Sequence, residues 1–538
     1  MWHKFPQPMR NVLLRALRVA AARQPRHALD AAAQPQDFFD ALALEPDGAE
    51  PVTEPVTAIS PESLKIFEDA YEHAALLDDR LIGTDHLLLA LTDNANRQRV
   101  LDDIKRSRAA GIGPDSAAPA PSSESIALSA THAQLATDPY PIYRTWREKL
   151  PPLRRDPLLP AWIVSGYDEV QQVLKDSRFS SQPRSNRTRS GTLEIDALPA
   201  GPVRRDLCVI GNVLSNMMLF SDAPQHSRMR ATMGQVFSPR NVANLRPIVQ
   251  RVAEELVDVI AQSGRREFDL IADFASPLPL LVIADVMGMS RRDAVQLKEW
   301  SVAFASLLGF STSVRQDLSA RRAIREMRGY FERIVAEMRG RPNPASLLSQ
   351  MITPPDGSPP LEEEELFGNW VLLLAAGHET TTSILGTAVR ALLQHPEQMQ
   401  TLTNDLDGRI AHAVEELLRF ESPLQWTSRR AKEDVIIADE KIPKNATVLL
   451  SMGAANRDPR QFPDPDRLDL SRANAASHLA FSAGSHFCLG AALARIELQV
   501  GLGALLRRLP AIRTEESFRI NWRPGTTWRS IEALPMRF

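Results

Sequence analysis

The ten residues Phe481 to Gly490, FSAGSHFCLG, constrain the fold more than any other stretch of this 538-residue chain. They hold Cys488, one of only two cysteines, between glycines and aromatic side chains. The helix-forming run LGAALARIELQVGLGALLRRL follows at once. Two readings fit such a cysteine. It is a small buried apolar residue, the usual fate of a lone cysteine, or it is a thiolate ligand to an iron cofactor. A thiolate ligand needs a loop whose backbone approaches a flat macrocycle closely, which favours glycine at Gly484 and Gly490. It also needs backbone N–H groups and a helix N-terminus aimed at the sulfur to stabilise its charge. The sequence meets both conditions.

Apolar periodicity predicts that residues 131–538 form one large, mainly α domain with a minor β-sheet. Short strands are expected at AWIV (161–164), DVIIA (434–438) and TVLLS (447–451). The longest helical segment is LEEEELFGNWVLLLAAGHETTTSILGTAVRALLQHP, with acids at its start and Pro396 at its end. Some 35 residues of helix span about 50 Å. Gly377 and the β-branched run Thr380-Thr381-Thr382 are poor helix-interior residues. Either the helix bends there against the core, or its backbone ladder opens locally beside a ligand, where a water can insert.

The composition is 43% hydrophobic and 24% charged, with a formal net charge of −3. It carries no basic excess for nucleic acid and no block of like charge for an interaction tail. Two cysteines, Cys208 and Cys488, are too few for a disulfide framework or a Cys-based zinc site. The chain fits a reducing compartment, with a single 208–488 bridge left open. MRNVLLRALRVAAA near the N-terminus is interrupted by Arg15 and Arg18 and reads as an amphipathic helix rather than a signal sequence. No apolar run approaches the roughly 20 residues of a spanning helix. The expectation is a cytoplasmic protein without a transmembrane segment.

Residues 1–57, rich in alanine, proline and arginine, are expected to be largely disordered. From Ser60, SPESLKIFEDAYEHAALL carries a serine N-cap, proline at N1 and an early glutamate. LIGTDHLLLALTDN then predicts a second helix capped by Thr84 and Asp85. Through IGTDHLLLAL, residues 58–108 resemble one repeat of the N-terminal domain of the Clp chaperones, which usually has two. The resemblance implies a small all-α module that binds a protein or peptide partner. No P-loop accompanies it. His73 and His86 read as structural or surface histidines. AAGIGPDSAAPAPSSESIA, within 109–130, predicts a flexible linker.

FSAGSHFCLGAALAR resembles the cysteine loop of the cytochrome P450 haem-thiolate monooxygenases, in their soluble bacterial form. Phe481, Gly484, His486, Cys488 and Gly490 match the fixed positions. Five such matches arise by chance in a chain of this length about once in several thousand sequences. Ser482 stands where glycine is common. The resemblance runs over about residues 131–538 and implies the cytochrome P450 fold. It implies that Cys488 is the axial ligand of a haem b iron and that AAGHETT (375–381) lies on the distal helix. There Glu379 and Thr380 form the acid–alcohol pair. In EELLRFESP it implies that Glu416 and Arg419 pair on one helix face, with Arg467 of NRDPRQFPDPDRL completing a buried structural clamp. His226 and Arg230 of HSRMR, Arg429 and His486 match positions that bind the haem propionates; four cations around two carboxylates suit a buried dianion. Phe481 and Gly490 belong to the same cofactor cradle. Ala376, Leu424 and Trp426, with the Met217-Met218 pair, are candidate pocket residues and suggest a hydrophobic small-molecule substrate.

The resemblance implies a monooxygenase that activates dioxygen and hydroxylates or epoxidises its substrate, with Thr380 and Glu379 delivering protons. With no flavin, nicotinamide or iron–sulfur motif evident, electrons from NAD(P)H must arrive through a separate ferredoxin or flavodoxin and its reductase. Docking is expected on the cysteine side. Two other readings stay open: a peroxide-driven or rearranging haem-thiolate enzyme, and a non-catalytic haem scaffold serving the Clp-like module.

Overall fold

The computed structural model describes residues 135, 137–156, 161–182, 202–308, 314–514, 518, 520–523 and 525–538. The expected extension (1–57), Clp-like module (58–108, with His73 and His86) and linker (109–130) lie outside them. The site belongs wholly to one compact unit, residues 121–182, 213–311 and 322–538. Of the other unit, the described parts are the beginnings of the helices Pro202–Ser215 and Val314–Gly340.

Helices dominate the main unit. Those that frame the site are α1 (Tyr140–Lys149), α2 (Gln225–Val236), α3 (Arg246–Gln262), α4 (Pro277–Met287), α5 (Ala294–Leu307), α6 (Glu363–Gln394), α7 (Leu406–Phe420) and α8 (Ala491–Arg508). The strands are β1 (Leu153–Arg155), β2 (Ala161–Val164), β3 (Phe179–Ser180), β4 (Glu267–Asp269), β5 (Trp426–Ala431), β6 (Val435–Ile437), β7 (Glu440–Ile442), β8 (Thr447–Ser451), β9 (Arg513–Thr514) and β10 (Pro535–Arg537). The main sheet runs β1-β2-β8-β5-β3; β4-β10-β9 and β6-β7 make two smaller ones. Mainly helical with a small sheet, the architecture agrees with the periodicity, and β2, β6 and β8 fall on the three expected strands.

Helix α6 is the axis of the fold. A capping box between Glu362 and Glu365 starts it, and glutamates fill its first turn, where the helix dipole favours negative charge. It packs on α4, α5 and α8. Its α-helical ladder continues through Gly377 and the threonine run, without the local opening that is one of the two readings of this stretch. Hydroxyls bond back to carbonyls four residues earlier instead: Thr380 to Ala376 at 2.6 Å, Ser383 to Glu379 at 2.7 Å and Thr387 to Ser383 at 3.0 Å. Such back-bonds satisfy serine and threonine hydroxyls inside a buried helix.

Two sequence expectations need correction here. Leu270–Met287 is long and apolar enough to span a membrane, with a mean hydropathy of 1.8, but 72% of it is buried inside the protein. It is a core segment whose apolar surface is used by its neighbours, chiefly α3 and α6. Trp426 does not line a pocket. It is 1% exposed, with its ring centroid 5.8 Å from Trp146 and 6.3 Å from Tyr143. Trp426 instead opens strand β5, paired with β8 from Trp426↔Ser451 to Arg430↔Thr447. Strand alternation turns the tryptophan into the core beneath the sheet. Met217 and Met218 are buried too, and the Met218 N–H donates to Asn369 Oδ1 at 2.9 Å. Leu424 is half-buried and bridges to Trp528.

Candidate active site

The cysteine loop is held by its own backbone. The Cys488 N–H donates to the Phe481 carbonyl at 2.9 Å, and the Phe487 N–H to the Gly484 carbonyl at 3.1 Å. Gly484 has φ +70°, and a Cβ there would sit 2.5 Å from the Leu174 carbonyl oxygen, so only glycine fits. Ser482 has φ +63°, which gives the physical reason for a glycine preference at its position. A serine costs about 1 kcal/mol in that conformation. Gly490 precedes α8, and a Cβ there would meet no protein atom within 4 Å.

Both cysteines are free, and Cys208 is exposed rather than a core residue. Cys488 also has accessible surface, yet burial pushes its thiol above the ordinary value. The Gly490 N–H, Arg230 and Arg495 act in the opposite sense, favouring the thiolate.

Four basic residues cluster beside the cysteine loop. His226 and Arg230 are one turn apart on α2, Arg429 is on β5, and His486 is two residues before the cysteine. The His226 and His486 rings are 4.1 Å apart. His226 Nε2 is buried without a hydrogen-bond partner. Arg429 is 8% exposed, and its guanidinium donates to the Ser428 carbonyl at 2.8 Å and Thr427 Oγ1 at 3.4 Å. Burial lowers Arg429 to about 10, and burial with Arg429 and His226 nearby lowers His486 to about 3. Asp222 is the carboxylate that opposes these shifts. A buried guanidinium and an orphaned imidazole nitrogen are costly unless anions complete them. Two propionates of a haem supply such anions, so these residues fit the cofactor.

On α6, the stretch from Leu366 to Leu392 is buried except at Leu373, Ala376, Gly377, Thr380 and Arg390. The first four are spaced i, i+3, i+4, i+7 and form one open stripe. Ala376 and Thr380 thus share a face. Glu379 lies off it, its Oε2 accepting from Arg523 at 2.7 Å and its Oε1 3.4 Å from His378 Nδ1. The expected acid–alcohol pair is therefore not in mutual contact, because Thr380 spends its hydroxyl on Ala376 and Glu379 pairs with Arg523. His378 is fully buried between Ser276 Oγ at 3.1 Å and Ser301 Oγ at 3.0 Å, and burial lowers it to about 4. Thr381 donates to Glu497 Oε2 at 3.1 Å, and burial pushes that carboxyl up to about 8. Sequence reasoning missed Arg523, His378 and Glu497. Only Glu497 left a signal, as an acid between the apolar residues Ile496 and Leu498 of α8.

The clamp needs one correction. Glu416 takes the Arg419 guanidinium on both oxygens, at 2.7 and 2.8 Å, with both side chains fully buried. The second arginine on Glu416 is Arg472, at 3.1 Å, and not Arg467. Arg467 is exposed; its carbonyl accepts from Arg419 at 3.3 Å and from Arg472 at 3.1 Å. The chain between Pro463 and Arg472 curls so that carbonyls face the guanidiniums, and the inward side chain comes five residues later. Arg472 also donates to the carbonyls of Pro463 and Asp464.

Comparison with known proteins agrees with this geometry. The sequence model described as Cytochrome P450 matches residues 208–516. The cytochrome P450 monooxygenase PikC of Streptomyces venezuelae is 36% identical, covering 76% of this chain and 94% of its own. The 6-deoxyerythronolide B hydroxylase of Saccharopolyspora erythraea is 34% identical, covering 70% and 90%. The structure of P450BioI, in complex with an acyl carrier protein ligated to hexadec-9Z-enoic acid, superposes with a TM-score of 0.68 at 34% identity, covering 76% and 100%. The protein is a haem-thiolate monooxygenase that hydroxylates a small molecule. The chain belongs to the cytochrome P450 family.

Proposed function

We propose that Cys488 is the axial ligand of a haem b iron, that His226, Arg230, Arg429 and His486 hold its propionates, and that the open stripe of α6 receives an apolar small molecule. The four basic residues clustered around His486, with the orphaned His226 Nε2, are the observation that carries this reading. When bound, haem supplies oxygen activation, favoured by a thiolate that pushes electron density through the iron. Leu373, Ala376 and Gly377 give the substrate an apolar wall, consistent with the fatty acyl group named for P450BioI. Thr380 releases the Ala376 carbonyl and uses its hydroxyl to orient a water. Glu379 Oε1 takes a proton from solvent and passes it to that water while Oε2 stays with Arg523. Glu497 holds its proton at neutral pH beside Thr381. NAD(P)H supplies the electrons through a separate ferredoxin or flavodoxin and its reductase, and the protein works in the cytoplasm.

The test is Thr380→Ala assayed with a ferredoxin, its reductase and NAD(P)H. The variant should still bind haem and substrate and consume NAD(P)H, while product per NAD(P)H falls severalfold and hydrogen peroxide or water takes the difference. Unchanged coupling would remove Thr380 from proton delivery. Turnover that needs added peroxide and ignores the ferredoxin would favour the peroxide-driven alternative.

For the N-terminal part we propose the Clp-like partner-binding module at 58–108, joined by the linker at 109–130 to a haem domain that starts at 131. The supporting observation is that all the haem motifs lie beyond the linker. Deleting residues 1–125 should leave haem content and turnover of free substrate unchanged. Lost haem or a large fall in melting temperature would instead make this part an integral cap.

A further inference from the structure

Glu415 is the neighbour of the clamp glutamate on α7, but it faces a different partner. Its carboxylate takes the Arg495 guanidinium in a two-point fork, at 2.7 and 2.8 Å. Arg495 sits on α8, seven residues after Cys488. It lies 4.6 Å over the ring centroid of Phe481, whose carbonyl accepts the Cys488 N–H. His478 closes the other side. Its Nε2 is 3.3 Å from Glu415 Oε2, its Nδ1 accepts the Ala480 N–H at 3.1 Å, and its ring is 5.5 Å from Phe481.

The fork fixes where one positive charge stands relative to the sulfur. A bidentate arginine is held in both position and plane, unlike a singly bonded one. Burial raises the Glu415 carboxyl, but the Arg495 fork and the nearby His478 ring outweigh this and hold it at about 2. It is therefore ionised at any working pH, so the pair is close to neutral as a unit.

Resting on the reading of Cys488 as the iron ligand, we infer that Glu415 is a positioning residue that sets the potential of the iron, by holding Arg495 against Phe481 and balancing its charge beside the thiolate. Groups outside the ligand shell tune a metal through charge and hydrogen bonding. Removing the glutamate charge leaves Arg495 uncompensated, which favours the reduced, more negative centre. Removing the arginine charge has the opposite effect.

The experiment is a spectroelectrochemical titration of purified holoprotein carrying Glu415→Gln, Arg495→Met or both. The midpoint potential should move positive in Glu415→Gln and negative in Arg495→Met, and the double variant should lie between them, nearer the native value. Loosened packing alone has no reason to give shifts of opposite sign. Two shifts of one sign, or none in variants that retain the red-shifted Soret band of the reduced CO complex, overturn the inference. Should one single variant take up no haem, the sign in the other decides. If both fail, Glu415→Asp keeps the charge with a shorter reach; a smaller positive shift supports the role and an unchanged potential overturns it. Absence of that Soret band in the native protein would mean instead that the ligand assignment is wrong, whatever the variants do.

Discussion

Cys488→Ser should abolish both the red-shifted Soret band of the reduced CO complex and substrate hydroxylation. The band requires a thiolate opposite CO, and a serine hydroxyl is too weakly acidic to replace it. The loop should survive, because its backbone bonds from Cys488 to Phe481 and from Phe487 to Gly484 do not use the sulfur. Difference spectra on the reduced protein check this, with haem content measured in parallel. Cys208→Ser should leave both band and activity unchanged, since Cys208 is exposed and Cys488 is the cysteine held in the glycine-bounded loop. A band that survives Cys488→Ser and disappears in Cys208→Ser would reverse the ligand assignment.

Glu416→Ala should prevent accumulation of folded holoprotein. Its carboxylate receives two bonds from Arg419, one from Arg472 and the Asp469 N–H at 3.0 Å. Deleting it strands two buried guanidiniums, and breaking a buried pair in this way costs about 3–5 kcal/mol. That is a large share of the roughly 5–15 kcal/mol by which domains are stable. Arg472→Ala should be comparably damaging, since it leaves Glu416 short of a partner and frees the Pro463 and Asp464 carbonyls. Arg467→Ala should change stability by no more than about 0.5 kcal/mol, because the clamp uses its backbone carbonyl and not its exposed side chain. Denaturation midpoints and haem content of the three variants are the measurement. A severe defect in Arg467→Ala with a mild one in Arg472→Ala would restore the sequence-based assignment.

Local patterns determined a great deal of this protein. Helix α6 was legible at both ends because caps and prolines act on the backbone within a few residues. The cysteine loop was legible because Gly484 must take a left-handed backbone and approach the Leu174 carbonyl, which only glycine permits. Strands β2, β6 and β8 were legible from short apolar runs, whereas β5 was hidden by a WTSRRA sequence with a polar, charged middle. Its strand character comes from pairing with β8, and this long-range pairing turned Trp426 from a supposed pocket residue into core. The same limit explains the clamp. That Glu416 and Arg419 can pair follows from helix spacing, but which distant arginine joins them depends on how the Pro463–Arg472 segment curls in space. Arg523 reaches Glu379 from the C-terminal segment, 144 positions away, with no motif to announce it. The sequence determined local backbone geometry and which residues could carry the chemistry. Tertiary packing alone decided the partners of each buried charge, because a buried charge is satisfied by whichever opposite group the fold brings within hydrogen-bonding reach.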